Sequence, residues 1–349
     1  MMKLLKLFIT YQLKDTKSRQ KPGGFTLLEL LIGLILAFIV ITPLLGFMIS
    51  IMNQDRQEQA KAASEQEIQS ALNYISRDID QAIFIYDGKG LAEIDTQLPR
   101  VQEGVGVPVL VFWKRKFLPK SLPVRGAADC SSDPTRCDDA FVYALVAYYQ
   151  ITGDCTNKNW SCTSRIGRVE LQGPLDNINN PEPDGKIIPL NEPKPSPGFK
   201  LFDLNQANVS ELEEAMNNWK SDSGINDPEN QPKILIDYID KSTGANVPPA
   251  SCSTAPRIQN NSAGTTVPAA PAVPYLNRQV PPTSTTSSFY ACVDTDKTIA
   301  QVFIRGNALA RIKPKANPPA YIPSQQAYFP RASIQVQGRG LVKIAPGSS

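Results

Sequence analysis

A run of about 28 residues, Phe25 to Met52, contains no Lys, Arg or Asp and a single carboxylate, Glu29. As a helix it is long enough to cross ~30 Å of hydrocarbon. A helix that is apolar all round has to be covered by lipid or by other protein, and the rest of the chain has to be arranged around that demand. Residues 1–24 carry Lys3, Lys6, Lys14, Lys17, Arg19 and Lys21 against one acid, Asp15. Beyond the run the signs are mixed, with Asp55, Arg56, Glu58 and Lys61. An excess of Lys and Arg marks the cytoplasmic flank of a span. The expectation is therefore a single pass through a membrane, N-terminus cytoplasmic and C-terminal bulk outside.

An ordinary secretory signal places its apolar region before the cut, with small residues at the cleavage site. Here Gly24 stands before the apolar region. A cut after it would leave the anchor on the mature chain and a new α-amino group on Phe25. Such an amine has an unperturbed pKa of about 7.7 to 8.0 and is largely a cation at neutral pH. Glu29 follows four residues on, ~6 Å along a helix, and so lies near an interface rather than at mid-bilayer. Insertion scales charge roughly 2.5 to 3.5 kcal/mol for a central acid, and even a discounted cost argues against accident. Glu29 of one subunit can pair with the Phe25 amine of a neighbour in a water-poor core. The plainer alternative is a signal anchor whose Glu29 snorkels to the headgroups.

Gly24, Phe25 and Glu29, with Thr26, Leu27, Leu28, Leu30, Leu31, Ile32 and Gly33 in keeping, resemble the class III signal of type IV pilins and of the pseudopilins of type II secretion systems. The resemblance covers the first quarter of the chain. It implies cleavage between Gly24 and Phe25 and N-methylation of Phe25 by a prepilin peptidase. It further implies a pilin-like α+β fold, a long helix packed on an antiparallel β-sheet domain with long loops. The partners it implies are other pilins or pseudopilins, an inner-membrane assembly platform, membrane lipid before assembly, and an exported polysaccharide or protein cargo.

Composition narrows the chemistry. The net charge is +3 and six of the 36 basic residues lie before residue 25, so the remainder is near neutral, against a nucleic-acid-binding surface. The absence of histidine removes Ser-His and Cys-His nucleophile pairs, His-ligated zinc and histidine bases. No enzyme activity, metal or other cofactor is expected. Asp176 to Asn180 with Asp184-Gly185 offers oxygen ligands but lacks the EF-hand spacing, and reads as an Asn/Asp turn cluster.

The six cysteines are Cys130, Cys137, Cys155, Cys162, Cys252 and Cys292, none in C-x-x-C spacing. Outside the cytoplasm an even number reads as disulfides. The pairing 130–137, 155–162 and 252–292 is expected, although six cysteines permit 15 connectivities. A crossed arrangement of the first four competes with it.

Helical pattern continues past the apolar run. Ile68, Ala71, Leu72, Ile75, Ile79, Ala82 and Ile83 recur at three- and four-residue steps, and Asp87-Gly88 ends the stripe. One helix from Phe25 to Tyr86 is expected, kinked near Pro43, with an amphipathic second half lying on a sheet. Strands are predicted at Val107–Trp113, Phe141–Ile151, Arg165–Leu171, Lys233–Ile239, Phe289–Val293, Thr298–Ile304 and Ala332–Val336. Ser210-Glu-Leu-Glu213 is a capping box that opens a helix over Glu211–Lys220. The organisation is a leader at 1–24, a membrane half-helix at 25–52, an amphipathic half at 53–86, and one β-rich domain at 87–349. Pro-rich insertions sit near 173–199 and 245–288.

The order of long helix, strands with Phe141–Gln150, then a strand ending Val169-Glu170-Leu171, is similar to large minor pilins and J-type minor pseudopilins. Tip pseudopilins of the K type usually lack the fifth-position glutamate, so Glu29 speaks against that class. The Pro-rich loops and the start are also similar to pseudopilins of hormogonium polysaccharide secretion in filamentous cyanobacteria. Two function classes stand at this point. One is a low-copy filament subunit; the other is a membrane-tethered adhesin or carbohydrate-binding module, with Trp113, Tyr148 and Tyr149 as aromatic contacts if they are not core.

Overall fold

The computed structural model describes residue 24, residues 26–252 apart from 128, 131, 132, 154, 156–158, 183, 208 and 210, and residues 278–340 apart from 283–286 and 314–316. The chain divides into two compact units, one up to Asp55 and one from Arg56 onward. Helix α1, Leu27–Ile79, contributes to both.

In the first unit α1 is exposed along its whole length, and an 18-residue window reaches a mean hydropathy of 2.7. It meets the length and composition of a membrane span. The helix passes through Pro43 without a break in assignment; Thr42 Oγ1 donates to Phe38 O at 2.8 Å one turn back. Such back-bonding occupies a carbonyl beside the position where proline lacks its own N–H.

The second unit is α+β. Strands β1 (Ala82–Ile85), β2 (Val105–Pro123), β3 (Cys137–Thr152), β4 (Ser164–Gln172) and β5 (Lys233–Ile239) form an antiparallel sheet in chain order. Strands β6 (Gln279–Val280), β7 (Phe289–Asp294), β8 (Ile299–Arg305) and β9 (Arg331–Gln337) form a second antiparallel sheet, also in chain order. Neither closes into a barrel. The expected antiparallel β-sheet domain is thus built from two sheets. They touch at both ends: Ile239 bridges to Gly306, and beyond β9 the Gly340 N–H donates to Ala82 O at 3.0 Å beside β1.

The second half of α1 buries Ala60, Ser64, Ile68, Ala71, Leu72, Ile75, Asp78 and Ile79, and Ile68 to Ile79 enter one core with residues of both sheets. Steps of three and four place these on one helical face. Each buried Leu or Ile contributes about 1.5 to 3 kcal/mol. The helix stops at Ile79, seven residues before the predicted end. Asp80 and Gln81 turn, and Ala82–Ile85, read in sequence as a continuing stripe, pairs with Phe112–Lys114 as a strand. Four consecutive buried residues, three of them Ile or Phe, suit a strand covered on both faces better than a helix.

The first insertion is no free loop. Beyond residue 173 it roofs the sheet face opposite α1, where Trp113 meets Phe199, Phe202 and Trp219 edge-on at 5.8, 5.0 and 5.6 Å. Helix α2 (Gly88–Ile94) and helix α3 (Leu212–Asn217) lie on this side. Trp113 Nε1 donates to Tyr86 Oη at 3.0 Å, and Tyr86 Oη donates to Met216 O at 3.0 Å, so the polar tips are satisfied inside the core. Helix α3 is shorter than predicted and its cap Glu211 makes no side-chain bond; Ser210 lies outside the described residues. Helix α4 (Ala308–Ile312) packs beside α1 through Arg311, which donates to Ser64 Oγ at 3.0 Å and pairs with Glu67.

Candidate functional site

The processing and assembly residues lie at the start of α1. Gly24 is exposed, and among the described residues beyond its chain neighbours nothing lies within 4 Å of where a Cβ would stand. Phe25 lies outside the described residues. Glu29 sits in the first helical turn and is solvent-exposed, its N–H bonded to Thr26 O at 3.0 Å and to Thr26 Oγ1 at 3.3 Å. Thr26 therefore caps the helix. Thr26-Leu-Leu-Glu29 has the S/T-x-x-E spacing of a capping box, a signal the sequence reading passed over while weighing Glu29 as a charge. A carboxylate in a first turn also complements the positive end of the helix dipole. The position of Glu29 therefore suits the start of a helix, independently of any pairing between subunits.

At the other end of the helix stands Asp78. The sequence reading did not single it out, yet it organises the most charged part of the interior. Asp78 Oδ1 accepts from Lys114 Nζ of β2 at 2.7 Å, and Oδ2 accepts from Arg168 Nε of β4 at 2.6 Å and from Tyr148 Oη of β3 at 2.8 Å. Glu170 completes the group: Lys114 lies 3.0 Å away, Lys116 2.7 Å away, and Arg168 also bonds to it. Burial pushes Asp78 upward, but the hydrogen bond and charge of Arg168, then Lys114, hold it below the usual carboxylate range. Glu170 is likewise raised by burial but brought down to about 2 by bonds to Lys116 and Arg168. Burial and the Asp78 charge push Tyr148 well above the ordinary phenol value. The cluster ties the last turn of α1 to three strands. Its signal in sequence is the alternation Lys114-x-Lys116 and Arg168-x-Glu170, which puts four charges on one face of the two strands that flank β3.

The disulfides Cys130–Cys137, Cys155–Cys162 and Cys252–Cys292 are formed as expected from spacing. The first two close local loops at the ends of β3 and before β4. The third fastens residue 252 to β7. Trp113, Tyr148 and Tyr149 are buried at 0, 0 and 2 % exposure, so they are core and not ligand contacts. The exposed strand aromatics are instead Phe117, Phe141 and Tyr143.

The Asn/Asp cluster serves turns. Asn179 and Asn180 donate to Pro123 O and Val124 O at 3.1 and 3.2 Å, and Gly185 takes a positive φ of 81°. These bonds pin the insertion against the far end of β2. Among the described residues no group of three or more Asp, Glu or Cys side chains is placed to hold a metal ion.

No family model matches the chain, and neither the curated proteins nor the solved structures contain a match to it.

Proposed function

We propose that this chain is a minor pilin or pseudopilin, a low-copy, non-enzymatic subunit of a type IV pilus or type II secretion-like filament. A prepilin peptidase cuts between Gly24 and Phe25 and methylates the new amine. The apolar half of α1 rests in inner-membrane lipid until the assembly platform draws it among the helices of other pilins or pseudopilins. The domain beyond Arg56 lies outside the cytoplasm, where disulfides persist, and primes assembly or meets exported cargo, protein or polysaccharide. A domain of this size in every repeat would crowd a filament shaft, which favours few copies.

The observation that carries the reading is the apolar half of α1, uncovered on every side and opened by Thr26 and Glu29 directly after Gly24. Mass spectrometry of the mature protein tests it. The expected N-terminus is N-methyl-Phe25. An intact leader, or a cut well after residue 40, refutes the reading.

One observation favours a second reading, a membrane-tethered binding module: Phe117, Phe141 and Leu201 lie about half exposed on the domain surface. Shearing separates the two. A filament subunit appears in the sheared fraction, whereas a merely tethered module stays with the cells.

A further inference from the structure

Strand β3 outruns its neighbour. The β3–β4 ladder runs from Thr152↔Ser164 to Ala144↔Gln172, and the Gly173 N–H adds a last bond to Tyr143 O at 2.9 Å. Pro174 then turns the chain away, and Leu175 packs with Leu118, Leu122, Ala140 and Val142 on the other face. A side chain at Gly173 would meet the Phe199 ring at 2.7 Å and Tyr143 O at 3.0 Å, so the corner needs glycine. From Phe141 back to Cys137, β3 is paired, among the described residues, with β2 alone.

Backbone groups in an antiparallel strand alternate between the two edges. Tyr143 directs its carbonyl toward β4, so Phe141 and then Asp139 direct their N–H and C=O groups the same way, past the end of β4. Beside this edge lies an open groove of about 430 Å³ whose lining includes Phe141, Ile178, Phe199 and Leu201, with Asp139 and Asp176 also on its walls. Phe141, Ile178 and Leu201 are 52, 60 and 47 % exposed. Phe117 pairs with Phe141 across the strands at 5.3 Å, and the Arg115 guanidinium stacks on Phe141 at 4.6 Å. Folded domains ordinarily cover or charge such an edge, and clustered large apolar side chains on a surface mark interaction sites.

We infer that this groove takes an extended segment of another protein, added to β3 as a strand in line with β4. Its chemistry is alternating apolar side chains with basic residues at the flanks. The Asp139 and Phe141 edge supplies main-chain bonds, Phe141, Ile178 and Leu201 receive the apolar side chains, and Asp139 and Asp176 meet the basic flanks. A saccharide would leave the strand edge unpaired against Phe, Ile and Leu. A second copy pairing through the same edge would bring Asp139 toward its own counterpart, and like charges across strands are unfavourable. The inference does not depend on the filament reading, since the edge and groove belong to the domain alone.

The full chain in detergent micelles is titrated against a fluorescent peptide of about nine residues, alternating Val and Thr with Lys at both ends, read by anisotropy. Two further peptides carry backbone N-methyl groups, one on the Val positions and one on the Thr positions. Side-chain face and strand direction together fix which set faces β3, so one N-methylated peptide should lose binding by more than about tenfold and the other by less than about twofold. Ile178→Asp and Leu201→Asp, both at exposed positions, should each weaken the parent peptide by roughly tenfold with unchanged thermal unfolding. The inference is overturned if the parent peptide does not bind, or if the two N-methylated peptides bind alike. It is equally overturned if maltohexaose displaces the peptide, or if the chain self-associates through this groove and Phe141→Asp abolishes that association.

Discussion

Residues 27–52 of α1 carry apolar side chains on every side and bury none, whereas residues 56–79 bury one stripe and leave the opposite face to Glu65, Gln66, Gln69 and Asn73. The same contrast holds for two carboxylates of the helix. Glu29 is exposed and, among the described residues, bonds through its backbone to Thr26, while Asp78 is buried and accepts from three side chains. One helix therefore presents two different surfaces. Its second half finds its partners within the chain, and its first half has to find them elsewhere.

Removing Asp78 should have the largest effect on the folded domain. Asp78→Ala would leave Lys114, Lys116 and Arg168 around the single carboxylate Glu170. Breaking a buried charge network by deleting one partner costs about 3 to 5 kcal/mol. Chemical unfolding of the variant measures the loss, and a change below about 1 kcal/mol would mean that water reaches the cluster and screens it.

A smaller loss is expected from Ile75→Ala, in the middle of the buried stripe. Deleting a fully buried isoleucine side chain to Cβ costs about 2 to 5 kcal/mol, depending on how far the site collapses. Leu34→Ala, in the first half and 60 % exposed, should leave domain unfolding unchanged. Equal effects at the two positions would remove the distinction between the halves.

The strands were largely legible from alternation and β-branched content, because period-2 patterning records which face each strand buries. Their grouping into two sheets was not, since the same pattern suits any sheet with a covered face. The end of α1 was misjudged for a related reason. Ala82 and Ile83 fall at helical spacing from Ile79 as well as in the apolar run of β1, and only pairing with Phe112–Lys114 decides between them. Gly24 and Glu29 stand out in the sequence because glycine before an apolar run, and a carboxylate inside it, break the surrounding pattern. Asp78 was hidden by its setting. It looks like one more acid in a polar stretch until Lys114 and Arg168, 36 and 90 residues away, come to meet it.

The pH dependence should be milder still. Asp78 and Glu170 are both lowered on folding, so their contribution is present above their unfolded values and lost as pH falls through the folded ones. For Glu170 that window runs from 4.5 down to about 2. The unfolding midpoint of the domain should fall steadily across it, and Glu170→Gln should flatten the fall. A steep loss above pH 5 would point to a different group.

The smallest effect on the domain should come from Glu29, and it distinguishes two mechanisms. Exposed substitutions remote from the core stay within about 0.5 kcal/mol, so Glu29→Ala and Glu29→Gln should both unfold like the parent. Their assembly should differ from the parent according to what Glu29 does. If its charge pairs with the Phe25 amine of a neighbour, both variants insert into the membrane and both are missing from sheared filaments. If it acts only through the Thr26 cap, glutamine serves at that position as well as glutamate. Glu29→Gln would then enter filaments while Glu29→Ala would enter them poorly. Normal assembly of both would sever the link between the exposed carboxylate and the uncovered half of α1.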